Sequence, residues 1–267
     1  MRQTTHISVQ ELDLSLQLRA ELALPVLAKM PGKLIGDLGC GTGCFSAELG
    51  RRGYKVLCVD VTPANLDALA LMYPDLVGSG SLTPIEGDLA ALPLETGALD
   101  GAFCMEVLEH VEDDRTALEE ISRVLRPGGV LVLSVPNRAA PLPLVERLGL
   151  ESVHDQPGPE RHVRPGYDAA ELAALLSSTG FDAISVAGVG GPLYRATAGL
   201  ISLAHLAYRR ARGQRAWTWA DLERESASLP MRLYAAVFPA LLFVARHDGG
   251  GSLAKRSTLV LTATRVG

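Results

Sequence analysis

Apolar runs of strand length alternate with amphipathic stretches along most of this chain, and the alternation predicts its secondary structure. The predicted strands in the first half are Leu34–Leu38, Lys55–Asp60, Leu82–Glu86, Leu99–Met105 and Gly129–Val135. The predicted helices before and between them are Glu11–Met30, Cys44–Arg52, Ala64–Met72 and Asp113–Arg126. Strands and helices that alternate in this way favour crossover units, and therefore a parallel sheet covered by helices on both faces.

After the fifth predicted strand the pattern becomes irregular. The segment Arg138–Tyr167 is rich in proline and is predicted to be a long loop with one short helix around Leu144–Leu148. Loops of this length in compact domains are commonly functional. The regular pattern then resumes with a helix at Asp168–Ser178, a strand at Phe181–Val189 and a last strand at Ser257–Thr264.

A long segment, Gly190–Lys255, separates the last two predicted strands. It contains two apolar stretches of helical character, Leu193–Tyr208 and Leu233–Ala245. Its nine basic and four acidic residues give it a net charge of +5, so the total of −5 leaves −10 for the remainder. We expect a helical insertion that serves as a lid, as a homodimer face, or as a peripheral contact with an anionic membrane.

Composition narrows the class of protein. A chain of 267 residues, 48% of them hydrophobic, is long enough for one α/β domain over residues 1–267, with a helical segment at 1–32 and the insertion at 190–255. The acidic balance argues against a nucleic-acid partner. The four cysteines form no C-x-x-C pair, and no apolar stretch reaches membrane-spanning length, so we expect a reduced, cytoplasmic protein.

The first strand ends in a glycine-rich turn, Asp37-x-Gly39-x-Gly41-x-Gly43. Glycines let the backbone turn sharply and approach a ligand, and the amides at the start of the next helix then face that ligand. The dinucleotide fingerprint G-x-G-x-x-G needs a glycine where this chain has Cys44, so a nicotinamide-dependent oxidoreductase is the weaker interpretation. An acidic residue in the turn suits a ligand that carries an ammonium or sulfonium charge.

Carboxylates also follow the second and third predicted strands. Asp60 is placed to accept hydrogen bonds from ribose hydroxyls, or alternatively to cap the helix that opens near Pro63. Asp88 is placed to accept from an exocyclic adenine amine while Leu89 packs on the ring, or alternatively to stabilise a local turn. Both belong to the edge where parallel sheets bind ligands.

The fourth strand runs into Met105-Glu106-Val107-Leu108-Glu109-His110, and the turn Leu125-Arg126-Pro127-Gly128-Gly129 follows. Together with the glycine-rich turn and the two carboxylates, this order and spacing resembles the class I S-adenosylmethionine (SAM) methyltransferases of type 11, and among them the ubiquinone-type O-methyltransferases. The resemblance covers roughly Leu34–Asn137. It implies a Rossmann-like, mostly parallel sheet of seven strands whose last strand is antiparallel, here preceded by a helical insertion.

The resemblance also implies SAM as the cofactor and assigns residues to it. By position, these are Asp37, Gly39, Gly41 and Gly43 for the methionine part, Asp60 for the ribose, and Asp88, Leu89 and Met105 for the adenine. Some relatives with the Glu106-x-x-Glu109-His110 pattern use a magnesium ion there, but local capping and pairing by these residues is the favoured interpretation. We therefore expect no metal.

The resemblance predicts methyl transfer from SAM to a small-molecule or lipid-like acceptor, at oxygen. The sulfonium is already an activated methyl donor, whereas a hydroxyl acceptor must lose a proton to a base. The candidate bases are His154, beside Asp155, His110 and His162, although many methyltransferases use no base. A SAM-binding scaffold in a biosynthetic complex that does not catalyse is the alternative.

Overall fold

A computed structural model of the chain describes residues 13–27, 29, 32–142, 144–150, 161–211, 229–248 and 252–267. Its strands are β1 (Leu34–Leu38), β2 (Lys55–Asp60), β3 (Leu82–Glu86), β4 (Leu99–Met105), β5 (Leu125–Pro136), β6 (Phe181–Val189) and β7 (Thr258–Arg265). They form one sheet in the order β3-β2-β1-β4-β5-β7-β6, in which β7 runs opposite to the other six strands. The predicted fold class is confirmed.

The helices are α1 (Leu14–Leu27), α2 (Cys44–Arg51), α3 (Pro63–Met72), α4 (Pro74–Gly78), α5 (Asp114–Val124), α6 (Leu144–Arg147), α7 (Ala169–Ser178), α8 (Pro192–Ala211) and α9 (Leu229–Arg246). Short 3-10 turns occupy Leu108–His110 and Leu253–Lys255. The short helix α4 was not predicted. Among the described residues no helix has both the length and the apolar character needed to cross a membrane.

The sheet separates two cores, because successive side chains of a strand point to opposite faces. In β4, Phe103 and Met105 pack in the first core with α1, α2 and α9, whereas Ala102 and Cys104 pack in the second with α5 and α7. The central strands are therefore apolar on both faces, as in other parallel sheets.

The predicted bounds of the strands agree with the structure to within one residue except at the start of β5. We expected β5 to begin at Gly129, after a turn, but pairing with β4 already begins at Leu125 and shifts in register before Val130. The residues between them bulge out of the ladder, with Gly128 at a φ of 75°. A Cβ on Gly129 would lie 2.8 Å from the carbonyl oxygen of Arg126, so this turn requires glycine.

The topology brings the insertion to one particular edge of the sheet. Because β6 is parallel to β1–β5 and β7 is antiparallel to β6, the chain leaves Val189 and returns to Thr258 at the edge where β1–β5 have their carboxyl ends. Helices α8 and α9 lie in this connection. Helix α9 packs on α1, which in turn lies against β5, β6 and β7.

Candidate functional site

A cavity of about 780 Å³ lies at the carboxyl ends of the parallel strands. Its wall includes residues that follow β1, β2, β3 and β4, namely Gly39, Gly41, Asp60, Asp88, Leu89, Glu106 and His110, together with His162 from the loop before α7. A volume of this size is typical of small-molecule and cofactor sites, and this edge is where open parallel sheets bind ligands.

The glycine-rich turn has left-handed backbone at each of its three glycines. A Cβ on Gly39 would lie 2.5 Å from the side chain of Val107, and one on Gly43 would lie 2.4 Å from Leu69, whereas Gly41 has open space. Gly39 and Gly41 line the cavity, and Gly43 lies at the start of α2. The first and third glycines are thus required for packing as well as for conformation.

Asp60 lines the cavity and accepts hydrogen bonds from the segments on either side of it. One carboxylate oxygen accepts from the backbone N–H of Gly41 at 2.8 Å, and the other from the N–H of Thr62 at 2.8 Å and the side chain of Asn65 at 3.2 Å. The carboxylate therefore holds the glycine-rich turn against β2 and binds Thr62, the N-cap residue of α3, but the predicted side-chain cap of α3 is not formed. Three donors occupy three of about four acceptor positions, which leaves about one for a ribose hydroxyl.

Asp37 lies behind the glycine-rich turn and is only 3% exposed. Its carboxyl group accepts from the hydroxyl of Ser46 at 2.5 Å, and it is not one of the residues that line the cavity. Burial raises the pKa of Asp37 to about 7, and the nearby charge of Asp60 adds to this shift. The role of Asp37 towards the methionine part of SAM stays a prediction.

The residues assigned to adenine fall in two different places. Asp88 and Leu89 line the cavity; Asp88 is exposed and its side chain accepts from the N–H of Ala90 at 2.8 Å, so the local turn that was the alternative role is formed. Leu89 is buried and offers an apolar surface. Met105 is buried in the first core with α1 and is not among the residues that line the cavity.

The end of β4 carries a glutamate in an uncommon backbone conformation, Glu106 with a φ of 57°. Its side chain accepts from the hydroxyl of Ser134 at 3.0 Å and lies 3.8 Å from the guanidinium of Arg19. Arg19 is 8% exposed and comes from α1, so the N-terminal helix is tied to the cavity wall. No motif marks Arg19 or Ser134, but an arginine within the apolar pattern of the first helix is a signal in the sequence.

A carboxyl group and two imidazoles cluster beside the cavity. One side-chain oxygen or ring nitrogen from each of Glu109, His110 and His162 lies within 4.8 Å of the other two. The two histidine rings pack edge to face, with their centroids 4.7 Å apart. Glu109 is 1% exposed, and neither of its oxygens has a hydrogen-bond partner among the residues that the structure describes. Burial, with the charge of Glu106, raises the pKa of Glu109 well above its usual range. Of the candidate bases, the structure brings these two histidines together; His154 lies outside the described residues.

The loop that carries His162 is fastened to the 3-10 turn by polar contacts. The N–H of Val163 donates to the backbone oxygen of Glu109 at 2.9 Å. Arg164 pairs with Asp114 and donates to the carbonyl of Val111 at 2.7 Å, and the hydroxyl of Tyr167 donates to Asp114 at 2.9 Å. These contacts hold the two histidines in place.

The donor set of this cluster does not fit a magnesium ion. One carboxylate and two imidazoles suit first-row transition metals, whereas magnesium prefers oxygen ligands in an octahedron. Glu106, which the magnesium interpretation requires, is engaged by Ser134 and Arg19.

Comparisons with known proteins agree with this geometry. A methyltransferase domain family model matches residues 36–133. The ubiquinone biosynthesis O-methyltransferase of Xanthomonas oryzae pv. oryzae (strain PXO99A) is 31% identical over 163 residues, which are 60% of this chain and 67% of that protein. The chain belongs to the SAM-dependent methyltransferases. This methyltransferase is also 31% identical to the O-methyltransferase resE of Aspergillus sclerotiorum over 156 residues, which are 58% of this chain and 57% of resE.

Solved structures share the fold of this methyltransferase. The [4+2]-cyclase SpnF has a TM-score of 0.59 at 21% identity, covering 94% of this chain and 80% of SpnF. Phosphoethanolamine N-methyltransferase 2 of Haemonchus contortus in complex with SAM has a TM-score of 0.58 at 17% identity, covering 92% of this chain and 53% of that one. At these identities the likeness concerns the fold alone. The nicotinamide-dependent alternative is not favoured.

Proposed function

We propose that this methyltransferase transfers the methyl group of SAM to a hydroxyl oxygen of a small, apolar acceptor of the phenol or quinol class. Two of its relatives are named as O-methyltransferases, one of them in ubiquinone biosynthesis. The observation that carries the proposal is that His110 and His162, which touch each other, line the same cavity as the glycine-rich turn and Asp60.

The order of the strands suggests how SAM lies in the cavity. Because β3, β2, β1 and β4 are adjacent in that order, Asp88, Asp60, the glycine-rich turn and the end of β4 follow one another along the edge of the sheet. Adenine at Asp88, ribose at Asp60 and methionine at the glycines would direct the sulfonium towards β4. The acceptor then belongs beside Glu106 and His110.

His110 is the better placed of the two bases. Its Nδ1 lies 3.2 Å from the carbonyl oxygen of Arg161. Because a carbonyl only accepts, Nδ1 carries the proton and Nε2 is the basic nitrogen. In the transfer, Nε2 takes the hydroxyl proton while the oxygen forms a bond to the methyl carbon. The carbon–sulfur bond breaks with its electrons on sulfur, and SAM leaves as neutral S-adenosylhomocysteine.

The test measures methyl transfer from labelled SAM to quinol, catechol and sugar acceptors. We expect transfer to the quinol or catechol, and a loss of about a hundredfold in kcat at neutral pH in His110→Asn, because general-base catalysis is worth at least that much. The rate should recover near pH ~10, where a phenol ionises without a base. SAM affinity should stay unchanged.

His247→Asn is the matched control, since His247 is exposed at the end of α9 and hydrogen-bonds the carbonyl of Phe243. Equal turnover in His110→Asn and His247→Asn would remove His110 as the base. SAM binding without transfer to any acceptor class would support the scaffold alternative instead.

A further inference from the structure

Helices α8 and α9 have an unusual charge composition. Their two ranges contain no aspartate or glutamate, and they carry Arg195, Arg209, Arg210, Arg232 and Arg246. One of these charges is offset, because Arg246 pairs with Glu21 of α1. The nearest carboxylate after α9, Asp248, is buried and accepts from the backbone N–H of Tyr194 at 2.7 Å. Arg210 and Arg232 are exposed, so the described outside of this helical pair is positive.

Helix α8 presents an apolar ridge to solvent. Among the side chains that the structure describes, its exposed positions from Leu193 to the last turn are all apolar and recur every three or four residues, namely Leu193, Ala196, Leu200, Ala204 and Ala207. Leu193 is 53% exposed and Leu200 is 65% exposed. Residues at this spacing lie on one side of a helix, so the ridge is continuous along α8.

Helix α9 is apolar on both of its sides. Phe238, Leu242 and Ala245 are buried towards α1 and the sheet. The other side exposes a second apolar set, which consists of Ala236, Val237, Pro239, Ala240, Phe243 and Val244. Of these, Phe243 is 60% exposed and Val237 is 51% exposed. A helix that faces solvent on one side normally carries polar residues there.

These exposed apolar side chains are concentrated in one region. We define the helical surface as α8, α9, α6 and the residues on either side of α6. These helices are in contact, because α6 packs on α8 and α8 packs on α9. Seven of the eleven large hydrophobic residues that the described structure exposes lie there, namely Leu142, Leu148, Leu193, Leu200, Val237, Phe243 and Val244. Single exposed apolar residues are ordinary, but such a concentration marks an interaction surface.

We propose that the helical surface docks on an anionic lipid bilayer. Exposed leucine, valine and phenylalanine flanked by arginines, with no carboxylate on either helix, is the composition of interfacial amphipathic helices. The long stem of an arginine can lie along apolar surface while its charged end reaches the headgroups.

Charge distinguishes this occupant from a second copy of the chain. A two-fold dimer would bring the same patch of each copy together and place the same arginines face to face, and the described residues of the two helices supply no carboxylate to pair with them. Anionic headgroups supply the missing negative charge. The chain also enters and leaves this surface at the sheet edge that holds the cavity. An acceptor dissolved in the bilayer would thus have a short path, although lipid docking stands independently of methyl transfer.

The test is flotation of the full-length chain with vesicles of phosphatidylcholine alone, or with about one-third phosphatidylglycerol, since each arginine near an anionic surface strengthens binding roughly fivefold. We expect flotation only with the anionic vesicles. Arg210→Glu with Arg232→Glu should weaken it at least twentyfold, because two attractive charges are removed at roughly fivefold each. Leu200→Ser with Phe243→Ser should weaken it as well.

Two exposed residues elsewhere on the molecule provide matched controls. Leu71 on α3 is 82% exposed, and the side chain of Arg115 on α5 is 52% exposed. Leu71→Ser and Arg115→Glu should float as the unaltered chain does. Flotation that is equal on neutral vesicles, absent from both, or equally weakened by the controls would overturn the proposal. A dimer in sedimentation velocity that Leu200→Ser dissociates would overturn it too, in favour of a second copy.

Discussion

The protonation of Asp37 should set how strongly this protein binds SAM. Burial raises the pKa of this carboxyl from 3.8 to about 7, so in the ligand-free protein it is largely neutral in mildly acidic solution. SAM brings a sulfonium and an ammonium group to the glycine-rich turn, and these cations favour the charged carboxylate. Binding should therefore release a proton from Asp37, and the affinity should rise with pH as Asp37 ionises.

The size of the effect follows from the charged fraction. With a pKa of about 7, roughly 3% of Asp37 is charged at pH ~5.5 and about half at pH ~7, so the apparent Kd for SAM should fall roughly fifteenfold between them. Calorimetry at the two pH values, in buffers of different ionisation enthalpy, measures both the Kd and the proton released. Adenosine, which lacks both cationic groups, should show no such dependence.

Asp37→Asn separates this effect from titration of the histidines that line the cavity. The amide keeps an oxygen for the hydroxyl of Ser46 but has no charge to gain. In this variant the affinity for SAM should be weak at both pH values, and the fifteenfold change should disappear. If Asp37→Asn keeps the full pH dependence, the carboxyl of Asp37 is not the titrating group and the reasoning from its burial fails.

Three further predictions concern the frame of the cavity. Asp60→Ala removes the acceptor for Gly41 and should weaken SAM binding at least tenfold in calorimetry, because it leaves a partly buried N–H unpaired. Gly43→Ala should lower the free energy of unfolding, measured in urea, by about 2–4 kcal/mol, because its Cβ would overlap Leu69. Gly41 has the same left-handed backbone but open space around it, so Gly41→Ala should lower the free energy of unfolding by only about 1 kcal/mol. Glu109→Gln should raise the melting temperature at pH ~8. Because the pKa of Glu109 is higher in the folded protein than in the unfolded chain, the folded protein loses stability as the pH rises above the unfolded pKa. Glutamine does not titrate, so the variant avoids this loss.

Much of the fold could be predicted from the sequence because each strand end is marked chemically. β1 stops at a glycine turn, β2 ends in Asp60 shortly before Pro63, and β3 ends in Glu86 before Gly87, so their predicted and observed bounds agree. β5 was predicted to be too short because proline and glycine normally end an element. Here they form a bulge within a ladder that continues, and its pairing with β4 depends on residues distant in the sequence.

The candidate site could be predicted only in part, because a motif shows where a residue lies along the chain but not which way its side chain points. Asp60, Asp88 and Leu89 line the cavity, whereas Met105 shares the side of β4 that carries Phe103 and therefore faces the first core. Likewise, nothing local in the sequence places His162 against His110, since the contact depends on the loop before α7.

Acidic side chains are concentrated where β1 and β4 end, next to the proposed position of the sulfonium of SAM. Asp37, Glu106 and Glu109 all act on the buried thiol of Cys104 and, with burial, raise its pKa. Three carboxyl groups thus lie near one point of the sheet, and burial outweighs the charges of Arg19 and Arg164 in setting the raised pKa of Glu109. A sulfonium in the proposed position of SAM would favour the ionised forms of these carboxyl groups, so its binding is coupled to the loss of protons there. Because S-adenosylhomocysteine has lost that charge, the same groups should hold the product less tightly than SAM and so favour its release.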